Sequence, residues 1–253
     1  MLFVGMRMEL KYIFNRYLDK KTFVKVSLKL PIISFTFDDF FSSSYKEAGK
    51  QVLEKYNIHA TYYASFGLMD TIDITGQQRF SINDLNGAIM GGHEIGGHTF
   101  SHLSCEEVSP LEYQTDILKN KETAKKLLGG YELKNFAYPH GKVSSNHKKK
   151  IFKYFKSLRG TQPGINVGWV DFGNLRSNEL YGNNINLSSV KKLISKNKQK
   201  KGWLIFHAHE VCDNPSPWGC SLEYFEHVVK LVVQSKIRIL TVDQAVDQIL
   251  ENH

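Results

Sequence analysis

Two groups of side chains in this sequence have the types and the spacing of a metal site. Asp38 and Asp39 follow the apolar run Ile32–Phe37, where carboxylates are costly to bury unless they are paired or metal-bound. His98 and His102 are four residues apart, which on a helical turn puts both imidazoles on one face. Two imidazole nitrogens and one carboxylate oxygen suit zinc with a position open for water. These residues predict a divalent metal site with zinc as the expected ion; alternatively, one aspartate only caps the next helix.

Two other metal motifs with similar residues are disfavoured. His93 and His98, with Glu94 between them, resemble the zincin pattern H-E-x-x-H but are five residues apart. That step turns the second imidazole roughly 140° away from the first on a helix, and Gly96 and Gly97 disfavour a helix there. The two-histidine, one-carboxylate triad of iron oxygenases has the same ligand types, but it usually occurs on a sandwich-like β-barrel.

The remaining chain alternates between strand-like and helix-like segments. The predicted strands are Ile32–Phe37, Ala60–Ala64, Glu94–Gly97, Asn135–Tyr138, Ser157–Arg159, Trp203–His207 and Ile237–Leu240. The predicted helices are Ser43–Tyr56, a short one opened by a capping box at Ser81 and Asp84, Leu111–Leu128, Leu222–Ser235 and Val242–Leu250. Such alternation predicts a parallel sheet with right-handed crossovers. Seven strands predict an α/β fold, a distorted (β/α)7 barrel with one unit fewer than the usual eight.

Polar residues cluster where the predicted strands end. They are Asp38 and Asp39 after the first strand, His98 and His102 after the third, Pro139 and His140 after the fourth, Arg159 at the end of the fifth and His209 after the sixth. In α/β barrels the C-terminal strand ends carry the chemistry. We therefore expect the site at that end of the barrel.

These residues resemble the motifs of polysaccharide deacetylases of the NodB-homology type, which are similar to carbohydrate esterase family four. Thr36–Asp39 resembles the first motif, His98–His102 the second, Ala137–Gly141 the third and Leu204–Glu210 the fifth. The resemblance runs from about residue 31 to 250. It implies metal-dependent removal of an N-acetyl group from an amino sugar of a bacterial surface glycan or its precursor. The departures from the family pattern resemble a subgroup found with lipopolysaccharide and capsule synthesis.

The resemblance also implies roles for individual residues. Asp39, His98 and His102 would bind the metal, and Asp38 would be the general base that takes a proton from water. The backbone N–H of His140 would stabilise the oxyanion. Amide hydrolysis needs an activated nucleophile and donors for developing charge, so these roles are chemically coherent.

The general acid would be a histidine after the sixth strand, and the sequence offers His207 and His209. Strand alternation puts both on one face and does not separate them. The family pattern is a histidine followed by an acidic residue, which His209 and Glu210 match. His207 is expected to sit deeper and to line the site or support the core.

Two family features are missing or displaced. The third-motif arginine that holds the base falls on Ala137, and either Arg159 or Arg176 could supply that cation from another strand. The fourth-motif aspartate has only Asp171 as a weak candidate.

Four residues are expected to contact the substrate. They are Tyr138, Pro139, Arg159 and Trp218. Trp218 offers a flat face for a sugar ring, although an ordinary loop anchored by a tryptophan has the same composition.

Composition limits the partners. The chain has 253 residues, a net charge of +8 and lysine runs at 147–150 and 191–201. These runs are interpreted as solvated faces, and because aromatics do not interleave with them no nucleic-acid partner is expected. The expected partner is an N-acetylated saccharide, with a phosphate- or lipid-linked carrier left open and the oligomeric state undetermined.

The N-terminus is expected to be an extension at 1–30 before a barrel at 31–253. Its segment 7–21 has one apolar helical stripe, which would lie on a membrane surface or pack on its own domain. The absence of a signal-peptide pattern and the three sparse cysteines predict a cytoplasmic protein, with contact at the inner face of the membrane left open.

Two alternatives to a deacetylase remain at this stage. One is a related hydrolase of another C–N bond, such as a cyclic amide. The other is a catalytically silent carbohydrate-binding module, which would be expected to lack a base or a metal ligand.

Overall fold

The computed structural model describes residues 22–182 and 184–251, and a curled sheet of parallel strands lies at its centre. The strands are β1 (Phe23–Val26), β2 (Ile32–Phe37), β3 (Thr61–Ala64), β4 (Glu94–Gly97), β5 (Asn135–Ala137), β6 (Ser157–Arg159), β7 (Gly168–Asp171), β8 (Asn178–Glu179), β9 (Trp203–Ala208) and β10 (Arg238–Ile239). The sheet order is β6-β5-β4-β3-β2-β9-β8, and β10 pairs with β2 beside β3. All these pairs are parallel. The predicted barrel of parallel strands is confirmed.

Helices surround this sheet. They are α1 (Ile82–Met90), α2 (Pro110–Leu127), α3 (Ser145–Ile151), α4 (Leu187–Lys200), α5 (Leu222–Gln234) and α6 (Val242–Leu250), with a π-helical segment at Ser44–Leu53. Capping boxes open α1 at Ser81 and α2 at Ser109, because the cap hydroxyl and the third-residue carboxylate satisfy the free N–H groups of the first turn.

The central strands β2 and β9 are buried at every position, as expected for parallel strands covered on both faces. They pair in register from Ile32 with Trp203 to Phe37 with Ala208. Their few polar groups are satisfied inside the sheet: Thr36 donates to the Phe206 carbonyl at 2.8 Å. This register brings Asp38 and His209 to the same end of the sheet.

Several elements were missed by the sequence-based prediction. Strands β1, β7 and β8 and helices α3 and α4 were not expected. Helix α4 lies in the lysine run, where Val190, Ile194 and Asn197 form a buried stripe that the surrounding charge conceals. Strands β1, β7 and β8 are two to four residues long and carry a charged residue each, which conceals their apolar pattern.

The expected N-terminal extension is only partly described, because residues 1–21 lie outside the described residues. The rest of it packs with the barrel: β1 pairs antiparallel with β7, and Val26 and Leu28 share a core cluster with Trp203. Among the helices that the structure describes, none is long and apolar enough to cross a bilayer.

Candidate metal centre and active site

The site begins where β2 ends. The Asp38 N–H donates to the Ala208 carbonyl at 2.9 Å, which continues the β2–β9 pairing by one residue. Asp39 then adopts a left-handed conformation with φ of 63°. This turn lets two adjacent carboxylates serve different partners.

The two histidines of the second motif come from an irregular turn after β4 and not from the expected helical turn. Thr99 and His102 have φ of 59° and 57°, values that a right-handed helix excludes. Asp116 on α2 holds the turn by accepting from the N–H groups of Phe100 at 2.6 Å and Ser101 at 3.0 Å. The structure still brings both imidazoles together, but α2 and not helical periodicity decides their positions.

Asp39, His98 and His102 form one cluster. Asp39 Oδ1 lies 3.2 Å from His98 Nε2 and 2.9 Å from His102 Nε2, and the three candidate ligand atoms lie within 4.8 Å of one another. Among residues 22–182 and 184–251, this is the one group of at least three His, Cys, Asp or Glu side chains with such spacing.

The hydrogen bonds around this cluster fit a divalent cation. His98 Nδ1 lies 2.8 Å from the Ala137 carbonyl, so Nδ1 carries the proton and, in the neutral ring, Nε2 presents a lone pair to Asp39. Asp39 Oδ1 is buried and has no hydrogen-bond partner. Two acceptors that face each other in a buried place repel unless a positive charge lies between them.

Arg79 holds the other side of Asp39, a contact that the sequence motifs did not indicate. Its Nη1 lies 2.8 Å from Asp39 Oδ2, and its guanidinium stacks over the Phe41 ring at 4.1 Å. This contact orients the carboxylate so that Oδ1 faces the two imidazoles.

Asp38 forms a buried ion pair with Arg159, whose Nη2 contacts Asp38 Oδ1. Arg159 also donates to Ser177 Oγ at 3.3 Å. Burial pushes the pKa of the Asp38 carboxyl upward, but Arg159 and the nearby imidazoles outweigh burial and hold that pKa below its usual value. Of the two arginines considered from the sequence, Arg159 is beside the carboxylate, whereas Arg176 donates to the Pro163 carbonyl.

The position of Arg159 corrects the expectation that it contacts substrate. Its side chain is 0% exposed, so it offers no surface to a ligand. Tyr138 and Pro139 are likewise buried, and the Tyr138 hydroxyl donates to the Gly173 carbonyl at 3.0 Å. These two residues pack in the protein interior beneath the third-motif turn and stabilise it, and they do not face the cavity. The sequence could not show this, because motif spacing does not report which way a side chain faces.

His140 faces the site from that turn. It is exposed and has φ of 56°, and its ring centroid lies 4.5 Å from that of His102. Left-handed backbone is uncommon for residues other than glycine. The turn therefore places the His140 backbone and ring beside His102, a candidate metal ligand.

His207 and His209 both face the site from β9 and its end, but at different depths. His207 is 2% exposed, and burial, with Arg159 nearby, lowers its pKa to about 3. The Ser177 hydroxyl donates to the Gly160 carbonyl and lies 2.9 Å from His207 Nδ1, so its oxygen accepts the Nδ1 proton. His209 is partly exposed. The expected order of depth is confirmed.

The loop after His209 carries Trp218. Glu210 is 1% exposed, its carboxylate accepts the Ser216 N–H, and its carbonyl accepts the Cys220 N–H at 3.1 Å. Trp218 is 50% exposed at the cavity. The acidic residue after His209 therefore anchors the loop that presents the tryptophan.

The candidate metal ligands and most of the other polar side chains described above line a cavity of about 700 Å³. Its walls include Asp38, Asp39, His98, His102, His140, His207, His209 and Trp218, as well as Arg79, Thr161, Glu179 and Tyr181, which the sequence did not indicate. The Tyr181 ring lies 5.4 Å from that of His207 and 5.8 Å from that of His209, between centroids. Asp171, the weak fourth-motif candidate, pairs instead with Lys148 at 2.8 Å.

Known proteins resemble this chain in sequence and in fold. A peptidoglycan-N-acetylglucosamine deacetylase from Bacillus cereus is 27% identical over 118 residues, which are 46% of this chain and 39% of that protein. The chain thus spans well under half of the length of that relative. A peptidoglycan deacetylase from Bacillus subtilis matches the fold with a TM-score of 0.58 at 16% identity, covering 90% of this chain and 95% of that one. A CE4 family pseudoenzyme from Bacillus anthracis matches with a TM-score of 0.60 at 10% identity, covering 87% and 66%.

The two structural neighbours are too distant in sequence to show more than a shared fold. The family model described as polysaccharide deacetylase matches residues 25–155, just over half of the 253 residues. That match contains Asp38, Asp39, His98, His102 and His140. The chain belongs to the polysaccharide deacetylase family.

Proposed function

We propose that this protein hydrolyses the N-acetyl group of an amino sugar in a glycan, with a divalent metal held by Asp39, His98 and His102. The observation that carries the proposal is the buried Asp39 Oδ1, which faces two imidazole nitrogens and has no hydrogen-bond partner. A divalent cation bound there supplies Lewis acidity, which polarises a carbonyl and lowers the pKa of water. Zinc is the ion we propose, because imidazole and carboxylate ligands suit it.

Asp38 is the proposed general base. Arg159 keeps its carboxylate ionised and occupies Oδ1, so Oδ2 accepts the proton of the attacking water. The N–H of His140 is the proposed donor to the oxyanion that forms on the amide carbonyl, since the third-motif turn lies beside His102. Asp39 takes no part in this proton transfer, because Arg79 pairs with its Oδ2 and its Oδ1 faces the two imidazoles.

His209 is the proposed general acid. Water adds to the amide carbon first; the C–N bond then breaks as the oxyanion re-forms the C=O bond, and the nitrogen leaves as an amine only if it gains a proton. His207 is poorly suited to donate this proton. Its Nδ1–H is hydrogen-bonded to Ser177 Oγ, and its pKa of about 3 keeps Nε2 unprotonated. His209 is more accessible from the cavity. The products are acetate and the free amino sugar.

The proposed substrate is an N-acetylated saccharide whose ring stacks on Trp218, which is half-exposed at the cavity. A precursor of lipopolysaccharide or capsule is the glycan proposed from the motif departures. Cytoplasmic residence stays a proposal, supported by the free state of Cys105, Cys212 and Cys220.

The test is mass spectrometry of N-acetylated chito-oligosaccharides and peptidoglycan fragments after incubation with the zinc-loaded protein. We expect products that have lost acetyl groups, one acetyl mass at a time, and no such products from Asp38→Asn. A protein that binds zinc but releases acetate neither from these glycans nor from alkyl glycosides of N-acetylglucosamine would overturn the proposal. Hydrolysis of a cyclic ureide in place of the glycans would favour the cyclic-amide alternative, and tight glycan binding without turnover would favour the silent binding module.

A further inference from the structure

An apolar rim stands at the mouth of the cavity. It consists of Ile72, Ile74 and Trp218, which are 66%, 100% and 50% exposed and all line the cavity. Single exposed apolar residues are normal on a protein surface, but a group at one opening marks a binding surface. The floor of the same cavity is polar and carries the metal cluster.

Hydrogen bonds hold the rim in this position. Asp73 Oδ1 accepts from the backbone N–H of Thr75 at 2.9 Å and of Gln77 at 2.8 Å, which closes a tight turn with Ile74 at its tip. Ile72 and Gln78 form an isolated antiparallel β-bridge across this turn. Because the turn is closed by these bonds, Ile74 is presented outward and does not fold back onto the core.

The same segment is tied to the loop of Trp218. Gln77 Nε2 donates to the Asn214 carbonyl at 3.4 Å, and the Cys212 thiol lies 3.9 Å from Gln77 Oε1. The isoleucines and the tryptophan therefore border one opening.

The rim constrains what is attached to the reacting sugar. In the proposed reaction the acetamido group reaches Asp38 and the proposed metal ligands at the cavity floor, so a substituent that leaves the sugar on the Trp218 side of the cavity passes the rim. Isoleucine side chains offer no hydrogen bond, so a second sugar laid against them would gain no polar contact from these side chains. A hydrocarbon chain in that place buries apolar surface against apolar surface.

We propose that the substrate is an N-acetylated amino sugar joined to an apolar aglycone, and that Ile72 and Ile74 bind the hydrocarbon of that aglycone. This inference rests on the proposed function and adds the substrate class. Trp218 covers the sugar, and the two isoleucines lie along the chain that leaves it.

The experiment compares the hexyl and methyl glycosides of N-acetylglucosamine, below the concentration at which the hexyl glycoside forms micelles. We expect kcat/KM for the hexyl glycoside to exceed that for the methyl glycoside by about tenfold, the worth of roughly two buried methylenes. In the Ile72→Ser/Ile74→Ser double variant the ratio should fall to about one, because the apolar contact is gone. The matched control is Leu111→Ser, since Leu111 is 62% exposed on α2 and does not line the cavity; it should keep the wild-type ratio.

Other outcomes separate this inference from the proposed function. Equal kcat/KM for both glycosides in the wild type, or a preference for diacetylchitobiose over the hexyl glycoside, overturns the proposal of an apolar aglycone and leaves the proposed deacetylation intact. If the wild type binds lipid vesicles, the double variant does not, and neither prefers the hexyl glycoside, the aglycone proposal is also overturned. The rim would then be a membrane-contacting surface. If no glycoside is deacetylated, calorimetric binding decides: tighter binding of the hexyl glycoside that the double variant abolishes supports the aglycone.

Discussion

The buried pair of Asp38 and Arg159 gives the sharpest prediction. Their side chains are 5% and 0% exposed, so removal of either partner leaves a largely buried charge without its counter-charge. Breaking such a pair costs about 3–5 kcal/mol of the free energy of unfolding. We expect Asp38→Asn to lie at the upper end, because a guanidinium cannot shed its proton in a protein.

The free-energy cost of Arg159→Met has an upper limit that depends on pH, because the unpaired Asp38 carboxylate can take up a proton. Protonating an aspartate with the usual pKa of 3.9 costs about 4 kcal/mol at pH 7 and about 2 kcal/mol at pH 5.5. The sign follows from linkage: in this variant burial raises the folded-state pKa of Asp38, so the folded state binds more protons than the unfolded state and gains relative stability as pH falls. The penalty of Arg159→Met should therefore shrink by up to about 2 kcal/mol between pH 7 and pH 5.5, while that of Asp38→Asn should not shrink.

The assay is urea denaturation of the two single variants and of Asp38→Asn/Arg159→Met, followed by circular dichroism with a chelator present. The double variant should be more stable than the sum of the single losses predicts, by about 2–3 kcal/mol. The exposed pair of Lys142 and Glu106, at 3.1 Å, is the matched control. The coupling energy from its double-mutant cycle should be below about 1 kcal/mol. If a single variant does not fold, recovery of folding in the double variant carries the same meaning. Losses that add within about 0.5 kcal/mol would refute the pairing.

Three further outcomes are expected from the site. Asp38→Asn, assayed where circular dichroism shows it folded, should retain zinc in metal analysis and lose turnover; loss of zinc with activity would mean that the two aspartates have exchanged roles. His209→Ala should lose about 10²–10⁴-fold in kcat with unchanged metal content, whereas His207→Ala should mainly lower the unfolding temperature, and a larger kcat loss for His207→Ala would reverse the assignment. Zinc at a hundred times its dissociation constant should stabilise the wild type by about 2.7 kcal/mol in thermal unfolding, and Asp39→Ala should abolish that gain; equal gains in both proteins would place the metal elsewhere.

The sequence by itself indicated the parallel barrel and the grouping of the candidate metal ligands. Apolar runs such as Ile32–Phe37 specify buried strands, because only such residues can be covered on both faces. The strands place residues that follow them at one edge, so Asp39, His98 and His102 could be grouped before their distances were known. The depth of His207 relative to His209 also followed from their places along one strand.

The tertiary structure alone decided what supports those residues. Arg79 reaches Asp39 from 40 residues along the chain, and nothing in its local sequence marks the contact. Arg159 reaches Asp38 from 121 residues away, and the sequence could not separate it from Arg176 as the partner of the base. The turn that carries His98 and His102 depends on Asp116 of α2, not on helical periodicity. Sequence spacing specifies local periodicity, whereas partners for buried charges are chosen by the packing of distant elements, since a charge without a partner is costly only once the surrounding chain has excluded water.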